Sequence, residues 1–153
     1  MAATIASIAS IGVPREIKPD ERRVALTPDA VRELVSHGLQ VRIEQGAGEG
    51  AGISDAALEA AGAAVVDQTE AWAAHLVVKV KEPQAAERKM LRPGQILYTY
   101  LHLAPDPEQT KDLVASGAVC IAYETVTSAR RGLPLLAPMS QVAGRMSVQS
   151  GAH

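Results

Sequence analysis

Residues 76–101 read LVVKVKEPQAAERKMLRPGQILYTYL and carry the pattern that decides the fold. The stretch opens with an apolar run at 76–80, continues with a helical segment at 84–91 and closes with a second apolar run at 95–101. Consecutive apolar residues, as in Leu76-Val77-Val78, are typical of strands that are covered on both faces. A strand, a helix and a second strand in this order predict a parallel βαβ unit.

The same alternation continues on both sides of this unit. Apolar runs predict further strands near residues 8–13, 40–44, 63–67 and 118–123. The helices between them are marked by their ends, because a hydroxyl or carboxylate N-cap precedes each one and a glycine follows it. These pairs of cap and glycine are Thr27 with Gly38, Ser54 with Gly62, and Asp106 with Gly117. We therefore expect an α/β fold, flavodoxin-like or Rossmann-like, with a mainly parallel sheet and a last helix that starts near Ser140.

The composition fits a globular domain, since 47% of the 153 residues are hydrophobic and 21% are charged. The formal charge of −2 leaves no basic surface for phosphates, so we expect no nucleic-acid partner. Cys120 is the single cysteine, which excludes a disulfide framework and a cysteine zinc site within this sequence and favours a reducing cytoplasm. No run of 18 apolar residues occurs and residues 1–10 lack a basic start, so we expect no membrane span and no export signal.

Residues 46–52 form a glycine-rich loop, GAGEGAG, directly after a predicted strand. The pattern G-x-G-x-x-A, followed 21 positions after Gly46 by Asp67, is similar to a dinucleotide-binding fingerprint. The predicted helix, however, starts only after the Ser54 cap, so its N-terminus lies out of register with the glycines and cannot hold a pyrophosphate there. It is also only about two turns long, which is short for the crossover of such a unit. We therefore favour a flexible loop over a cofactor site.

Three side chains stand just beyond the carboxyl ends of predicted strands: Arg23 after the first, Lys81 after the fourth and His102 after the fifth. Open α/β sheets bind ligands in the crevice at this edge. Arg23 can hold a carboxylate through two parallel hydrogen bonds, and Lys81 can hold a carbonyl or carboxylate oxygen. Histidine is the residue type suited to proton transfer near neutrality, which makes His102 the candidate acid and base. An anionic oxo acid is the expected ligand, and no cluster with metal-ligand spacing occurs in the sequence.

Each of these side chains also has an ordinary interpretation. A cation at a strand end is commonly a solvated charge, and a histidine between two leucines, such as His102, can be a hydrogen-bonded core residue. The sequence alone leaves open three neighbours as alternatives, which are Arg22, Lys79 and His75. We expect the three candidates to converge on one crevice, with Arg22 and Lys79 pointing elsewhere because alternate residues of an extended chain face opposite ways.

Seven segments of the sequence carry a resemblance to one known family. They are 11–16 (IGVPRE), 21–28 (ERRVALTP), 44–48 (EQGAG), 78–83 (VKVKEP), 100–104 (YLHLA), 122–126 (AYETV) and 135–147 (LLAPMSQVAGRMS). In this order and at this spacing they resemble the N-terminal part of L-alanine dehydrogenase, in the alanine dehydrogenase and pyridine nucleotide transhydrogenase family. The lysine and histidine segments follow the alanine dehydrogenase pattern rather than that of the transhydrogenase α subunit.

The resemblance implies a two-domain enzyme, usually a homohexamer, that reversibly converts L-alanine, NAD and water to pyruvate, ammonium and NADH. It implies that Arg23 binds the substrate carboxylate, that Lys81 binds the substrate, and that His102 is the catalytic residue that moves protons during imine hydration. Ser140 would lie near the cofactor at the start of an interdomain helix. Alanine and pyruvate are then the expected small-molecule ligands, and NAD is the expected cofactor.

The corresponding domain map has a dispensable N-terminal extension at residues 1–10, a substrate-binding domain at 11–138 and the start of the interdomain helix at 139–153. In the family an NAD-binding domain with a catalytic aspartate follows, so we expect this chain to be a truncated substrate portion that is inactive alone. Gln141 departs from the glutamate common in the family, which weakens any role at that position. Two alternatives stay open: a non-catalytic module that binds a small carboxylate, and the N-terminal domain of a transhydrogenase α subunit.

Overall fold

A sheet of six strands forms the centre of the fold. Its strands are β1 (Ser10–Val13), β2 (Gln40–Glu44), β3 (Ala64–Val66), β4 (Leu76–Val78), β5 (Ile96–Thr99) and β6 (Val119–Ala122). In the computed structural model, which describes residues 8–129 and 131–152, the strand order is β3-β2-β1-β4-β5-β6. The four neighbouring pairs with a defined register are all parallel. This is the Rossmann order rather than the flavodoxin order, and it confirms the predicted α/β class with a mainly parallel sheet.

Helices connect and follow these strands. Within the described residues they are α1 (Pro28–Ser36), α2 (Asp55–Ala60), α3 (Gln68–Trp72), α4 (Ala85–Arg88), α5 (Pro107–Ser116) and α6 (Ala137–Gly151). α1, α2 and α5 begin directly after the predicted caps, whose side-chain oxygens accept hydrogen bonds from backbone N–H groups of the first turn. α3 is absent from the sequence prediction, because a five-residue helix is too short to show a helical period. Its one local signal is the cap Asp67, whose carboxylate accepts from the Glu70 N–H at 2.8 Å.

The two strands that lead to Lys81 and His102 are shorter than their apolar runs. The run at 76–80 forms a strand only to Val78, and the run at 95–101 only from Ile96 to Thr99. The residues beyond these ends are still buried, with Val80 8% and Leu101 2% exposed. An apolar pattern indicates which residues are buried but not which ones pair with a neighbouring strand. The predicted strands are therefore too long and include part of the turns that carry Lys81 and His102.

β1 lies inside the sheet and packs closely against α3. A Cβ atom added at Gly12 would lie 1.9 Å from the carbonyl oxygen of Ala71, so the backbones approach at a distance that only glycine allows. Trp72, beside this contact, is 2% exposed and belongs to the core. The contact fixes the strand whose following loop carries Glu16 and Arg23.

The residues from Ala122 onward form a second unit. It contains a 3₁₀ turn at Tyr123–Thr125 and α6, which begins at Ala137, just before the predicted start at Ser140, and buries none of its side chains. None of the helices in the described parts of the chain combines the length and apolarity needed to cross a bilayer. Of the predicted extension at 1–10, residues 1–7 lie outside the described residues and Ser10 starts β1. The division at residues 138 and 139 stays a prediction.

Candidate functional site

Lys81 and His102 line one cleft at the carboxyl edge of the sheet. This lysine–histidine cleft has a volume of about 420 Å³ and lies beyond the ends of β4 and β5. Its lining residues are Lys18, Lys81, Glu82, His102, Pro105, Asp106 and Gln109. The chain reverses its direction of strand addition between β1 and β4, which is where doubly wound folds bind their ligands.

The backbone of Lys81 is fixed by hydrogen bonds on both sides. Its N–H donates to Glu16 Oε2 at 3.4 Å, and its carbonyl oxygen accepts from Thr99 Oγ1 at 2.9 Å. Lys79 is buried, with 1% of its side chain exposed, and pairs with carboxylates instead of lining the cleft. Lys79 thus points away from the cleft, as expected. The expected cause is wrong, however, because Lys79 and Lys81 are two positions apart and such residues share one face of a strand. The backbone bends at residues 80–81, and Lys81 lines the cleft whereas Lys79 does not.

His102 adopts a left-handed backbone conformation, with a φ of 47°. Non-glycine residues rarely do so; the strain costs on the order of 1–3 kcal/mol and concentrates at functional sites. The imidazole stacks on the ring of Tyr100, with the ring centroids 6.1 Å apart and the planes inclined by 22°. The preceding residue is anchored by Gln109, whose Nε2 donates to the Leu101 carbonyl oxygen at 2.5 Å. A strained but anchored turn therefore sets the direction of the imidazole.

Arg23 lies in a neighbouring pocket and is not among the residues that line the lysine–histidine cleft. This arginine pocket has a volume of about 240 Å³ and is lined by Arg15, Glu16, Glu21, Arg22, Arg23, Gly46, Ala47, Glu49 and Gly50. Glu16 links the residues around the two spaces, because it lines the arginine pocket and accepts the hydrogen bond from the Lys81 N–H. Arg22 lines the same pocket as Arg23, contrary to the expected separation of the two arginines.

Glu21 forms an ion pair with Arg23. Its carboxylate accepts from Arg23 Nε at 2.8 Å and from Nη2 at 2.5 Å, which makes a two-pronged ion pair. These hydrogen bonds hold the pKa of Glu21 below its usual range, the charge of Lys81 acts in the same direction, and the pair raises the pKa of Arg23. A substrate carboxylate at Arg23 would compete with Glu21. The sequence analysis missed Glu21, because an acidic residue near two arginines has the pattern of an ordinary surface charge.

Glu82 places a carboxylate in the same cleft as His102. It pairs with Lys18, and its Oε2 is buried without a hydrogen-bond partner among the described residues. Burial alone would raise the pKa of Glu82, but the hydrogen bond from Lys18 and the nearby positive charges lower it below the usual range. The cleft thus carries positive groups and an ionised carboxylate together, which suits a ligand with groups of both charges.

The glycine-rich loop at 46–52 is closed by its own chain. The Gly46 N–H donates to both carboxylate oxygens of Asp55, at 3.0 and 3.1 Å, and α2 starts only at Asp55. A pyrophosphate here would meet the Asp55 carboxylate, so the loop does not fit the phosphates of NAD. Ser140 lies exposed in the first turn of α6, within the second unit. In the described residues no three His, Cys, Asp or Glu side chains are placed to hold a metal ion.

The chain is similar to known proteins along nearly its whole length. A sequence profile described as "Alanine dehydrogenase/PNT, N-terminal domain" matches residues 12–143. The chain belongs to this family. The alanine dehydrogenase of Halomonas elongata is 60% identical over 145 residues, which cover 94% of this chain and 39% of that protein. The alanine dehydrogenase of Bacillus subtilis is 52% identical over 144 residues, which cover 94% and 38%.

Solved structures agree with this membership of the alanine dehydrogenase/PNT N-terminal family. An L-alanine dehydrogenase superposes with a TM-score of 0.89 at 53% identity, covering 94% of this chain and 40% of that one. A transhydrogenase from Sinorhizobium meliloti superposes with a TM-score of 0.72 at 31% identity, covering 75% and 35%. The chain spans about two fifths of the length of the curated relatives it matches. The resemblance seen in the seven sequence segments is confirmed.

Proposed function

We propose that this chain is the substrate-binding portion of an NAD-dependent alanine dehydrogenase, which reversibly converts L-alanine, NAD⁺ and water to pyruvate, ammonium, NADH and a proton. The observation that carries the proposal is that Lys81 and His102 line one cleft at the carboxyl edge of the sheet. Similarity supports the reaction class, because the relatives that match nearly the whole chain are named alanine dehydrogenases. The transhydrogenase alternative is less favoured, since its solved structure is 31% identical against 53%.

Each charged side chain has one task in this proposal. Arg23 takes the substrate carboxylate in exchange for part of its pair with Glu21, and Lys81 donates to a carbonyl or carboxylate oxygen. His102 accepts a proton from the water that adds to the imine carbon and returns a proton when ammonia leaves. Because Arg23 stays charged throughout, it positions and neutralises the substrate but transfers no proton.

NAD and the assembly state are part of the same proposal. Since the glycine-rich loop does not fit its phosphates, we place NAD binding mainly in the part of the relatives' length that this chain does not span, with Ser140 near the cofactor. The complete protein would act as a cytoplasmic homohexamer on alanine and pyruvate. The chain alone would bind substrate without turning it over.

Reductive amination is the deciding assay. The complete product of the reading frame that encodes this chain should oxidise NADH only when pyruvate and ammonium are both present. Arg23→Lys should raise the pyruvate KM about tenfold or more with a smaller effect on kcat, because lysine cannot form the two-pronged grip. Arg32→Lys, at a side chain that is 59% exposed on α1, is the matched control and should keep wild-type constants. NADH oxidation that ignores ammonium, or none at all, would contradict the proposal.

A further inference from the structure

Glu16 lies in the loop after β1 and lines the arginine pocket. Its side chain is only 4% exposed. Oε1 accepts from the Val80 N–H at 2.6 Å, and Oε2 accepts, more weakly, from the Lys81 N–H at 3.4 Å. One buried carboxylate therefore holds two consecutive peptide groups at the bend that brings Lys81 to the cleft.

A buried ammonium group holds this carboxylate in turn. Lys79 Nζ lies 3.2 Å from Glu16 Oε2 and donates to Glu87 Oε1 at 2.8 Å. The side chains of Lys79 and Glu87 are each 1% exposed. Glu87 Oε2 accepts from the Gln84 N–H at 2.7 Å at the start of α4. These charges tie the loop after β1 to the end of β4 and to α4.

Stability alone does not account for this group of charges. Burying two carboxylates and an ammonium group requires their desolvation, and well-packed apolar residues often replace such a group without loss of stability. Burial raises the pKa of Glu16, although the charge of Lys79 and the backbone hydrogen bonds oppose the change. What the group does provide is a fixed geometry for the backbone at residues 80–81.

The opposite side of the same backbone is fixed by the chain that leads to His102. Thr99 Oγ1 donates to the Lys81 carbonyl oxygen at 2.9 Å, and the Tyr100 N–H donates to the Val80 carbonyl oxygen at 3.3 Å. A shift of residues 80–81 would therefore change both the direction of Lys81 and its separation from His102.

We propose that Glu16, with Lys79 as its buried counterion, is a positioning residue that fixes where Lys81 meets the substrate. This role rests on the proposed function. Glu16 acts through the backbone of Lys81 and not by contact with the reacting atoms. A misplacement of about 1 Å can cost on the order of 10²-fold, so loss of the clamp should be visible in substrate kinetics.

Steady-state kinetics of the complete gene product tests this role. Glu16→Gln keeps the size of the side chain but replaces the carboxylate with a neutral amide. This amide then faces the Lys79 ammonium group and the N–H groups of Val80 and Lys81. We expect the pyruvate KM to rise about tenfold or more, while kcat and the NADH KM change by less than about threefold. Glu16→Asp, which keeps the charge but has a shorter reach, should give an intermediate pyruvate KM.

A destabilising variant at the other edge of the sheet is the matched control. Gln95 is 4% exposed and donates to the carbonyl oxygens of Trp72 and Ala74 at 2.7 and 2.8 Å. Gln95→Leu should lower the melting temperature as Glu16→Gln does, but it should leave the pyruvate KM unchanged. An equal rise in KM for both variants would assign the effect to lost stability and overturn the positioning role.

A folded Glu16→Gln or Glu16→Asp enzyme with the wild-type pyruvate KM would also overturn the positioning role of Glu16. If the Glu16→Gln enzyme does not fold, the Glu16→Asp enzyme provides the test. The proposed function fails separately, if the wild-type enzyme has no alanine dehydrogenase activity. In that case the pyruvate affinities of the wild-type 153-residue chain, its Glu16 variants and Gln95→Leu are compared by NMR titration. Absence of pyruvate binding by the wild-type chain would refute both proposals.

Discussion

His102 lines the cleft from a left-handed backbone conformation, with a φ of 47°. Asparagine tolerates this conformation better than most residues, because its short polar side chain bonds locally, but it cannot exchange protons near neutral pH. His102→Asn should therefore preserve the fold, with a Tm within about 3 °C of wild type. The values of kcat and kcat/KM should fall together by about 10²- to 10⁴-fold, since proton transfer belongs to the transition state.

Thermal melting by circular dichroism and kinetics at several pH values measure the two effects. His37→Asn is the control, because His37 follows α1 and its side chain is 66% exposed. It should leave kcat and its pH dependence unchanged. A His102→Asn enzyme with the wild-type kcat and pH profile would make His102 a core residue without a catalytic role.

The sequence selects the candidate side chains because each follows a predicted strand, and strand ends share one edge of a parallel sheet. Their roles in binding and catalysis stay predictions. The buried carboxylates could not be found in this way. Glu16 accepts a hydrogen bond from Val80, which is 64 positions away, and nothing local distinguishes Glu16 from a solvated charge. The same limit applies to Lys79, whose burial depends on the bend after β4 and on Glu87.

Among the helices, prediction succeeded where short-range hydrogen bonds at the helix ends mark the helix in the sequence. The caps at Thr27, Ser54 and Asp106 define helix starts because their side chains satisfy backbone N–H groups of their own helix. It failed for α3, which is held by its close packing on β1 and not by its own periodicity. Such a helix depends on contacts far away in the sequence.

The contact of β1 with α3 gives a prediction for two matched substitutions. Gly12→Ala places a methyl group 1.9 Å from the Ala71 carbonyl oxygen and should destabilise the fold by about 1–3 kcal/mol. Gly144→Ala in α6 meets no atom within 4 Å and should be neutral or stabilising by up to about 1 kcal/mol. Urea unfolding followed by the fluorescence of Trp72, the single tryptophan, measures the first effect, and unfolding followed by far-UV circular dichroism measures both. Equal stability of the two variants would contradict the close approach.

At the scale of the whole molecule, the strand order brings charged side chains from distant segments to one edge of the sheet. β1 and β4 are neighbours in the sheet although 62 residues separate their ends, Val13 and Leu76, in the chain. The loop after β1 therefore brings Glu16, Glu21 and Arg23 next to the turn after β4, which carries Lys81. The Rossmann order therefore places charges from distant segments of the chain at one edge of the sheet.

The same architecture predicts which ligand the chain binds by itself. The lysine–histidine cleft is lined within the chain, whereas the glycine-rich loop is closed by the bond from Gly46 N–H to the Asp55 carboxylate, which would repel phosphates. Pyruvate should therefore shift the NMR signals of residues 80–82 and of His102 saturably and leave those of residues 46–52 in place. Titration calorimetry with NADH should give no saturable heat. A dissociation constant for NADH in the low micromolar range, with shifts at residues 46–52, would show instead that this loop opens to hold a dinucleotide.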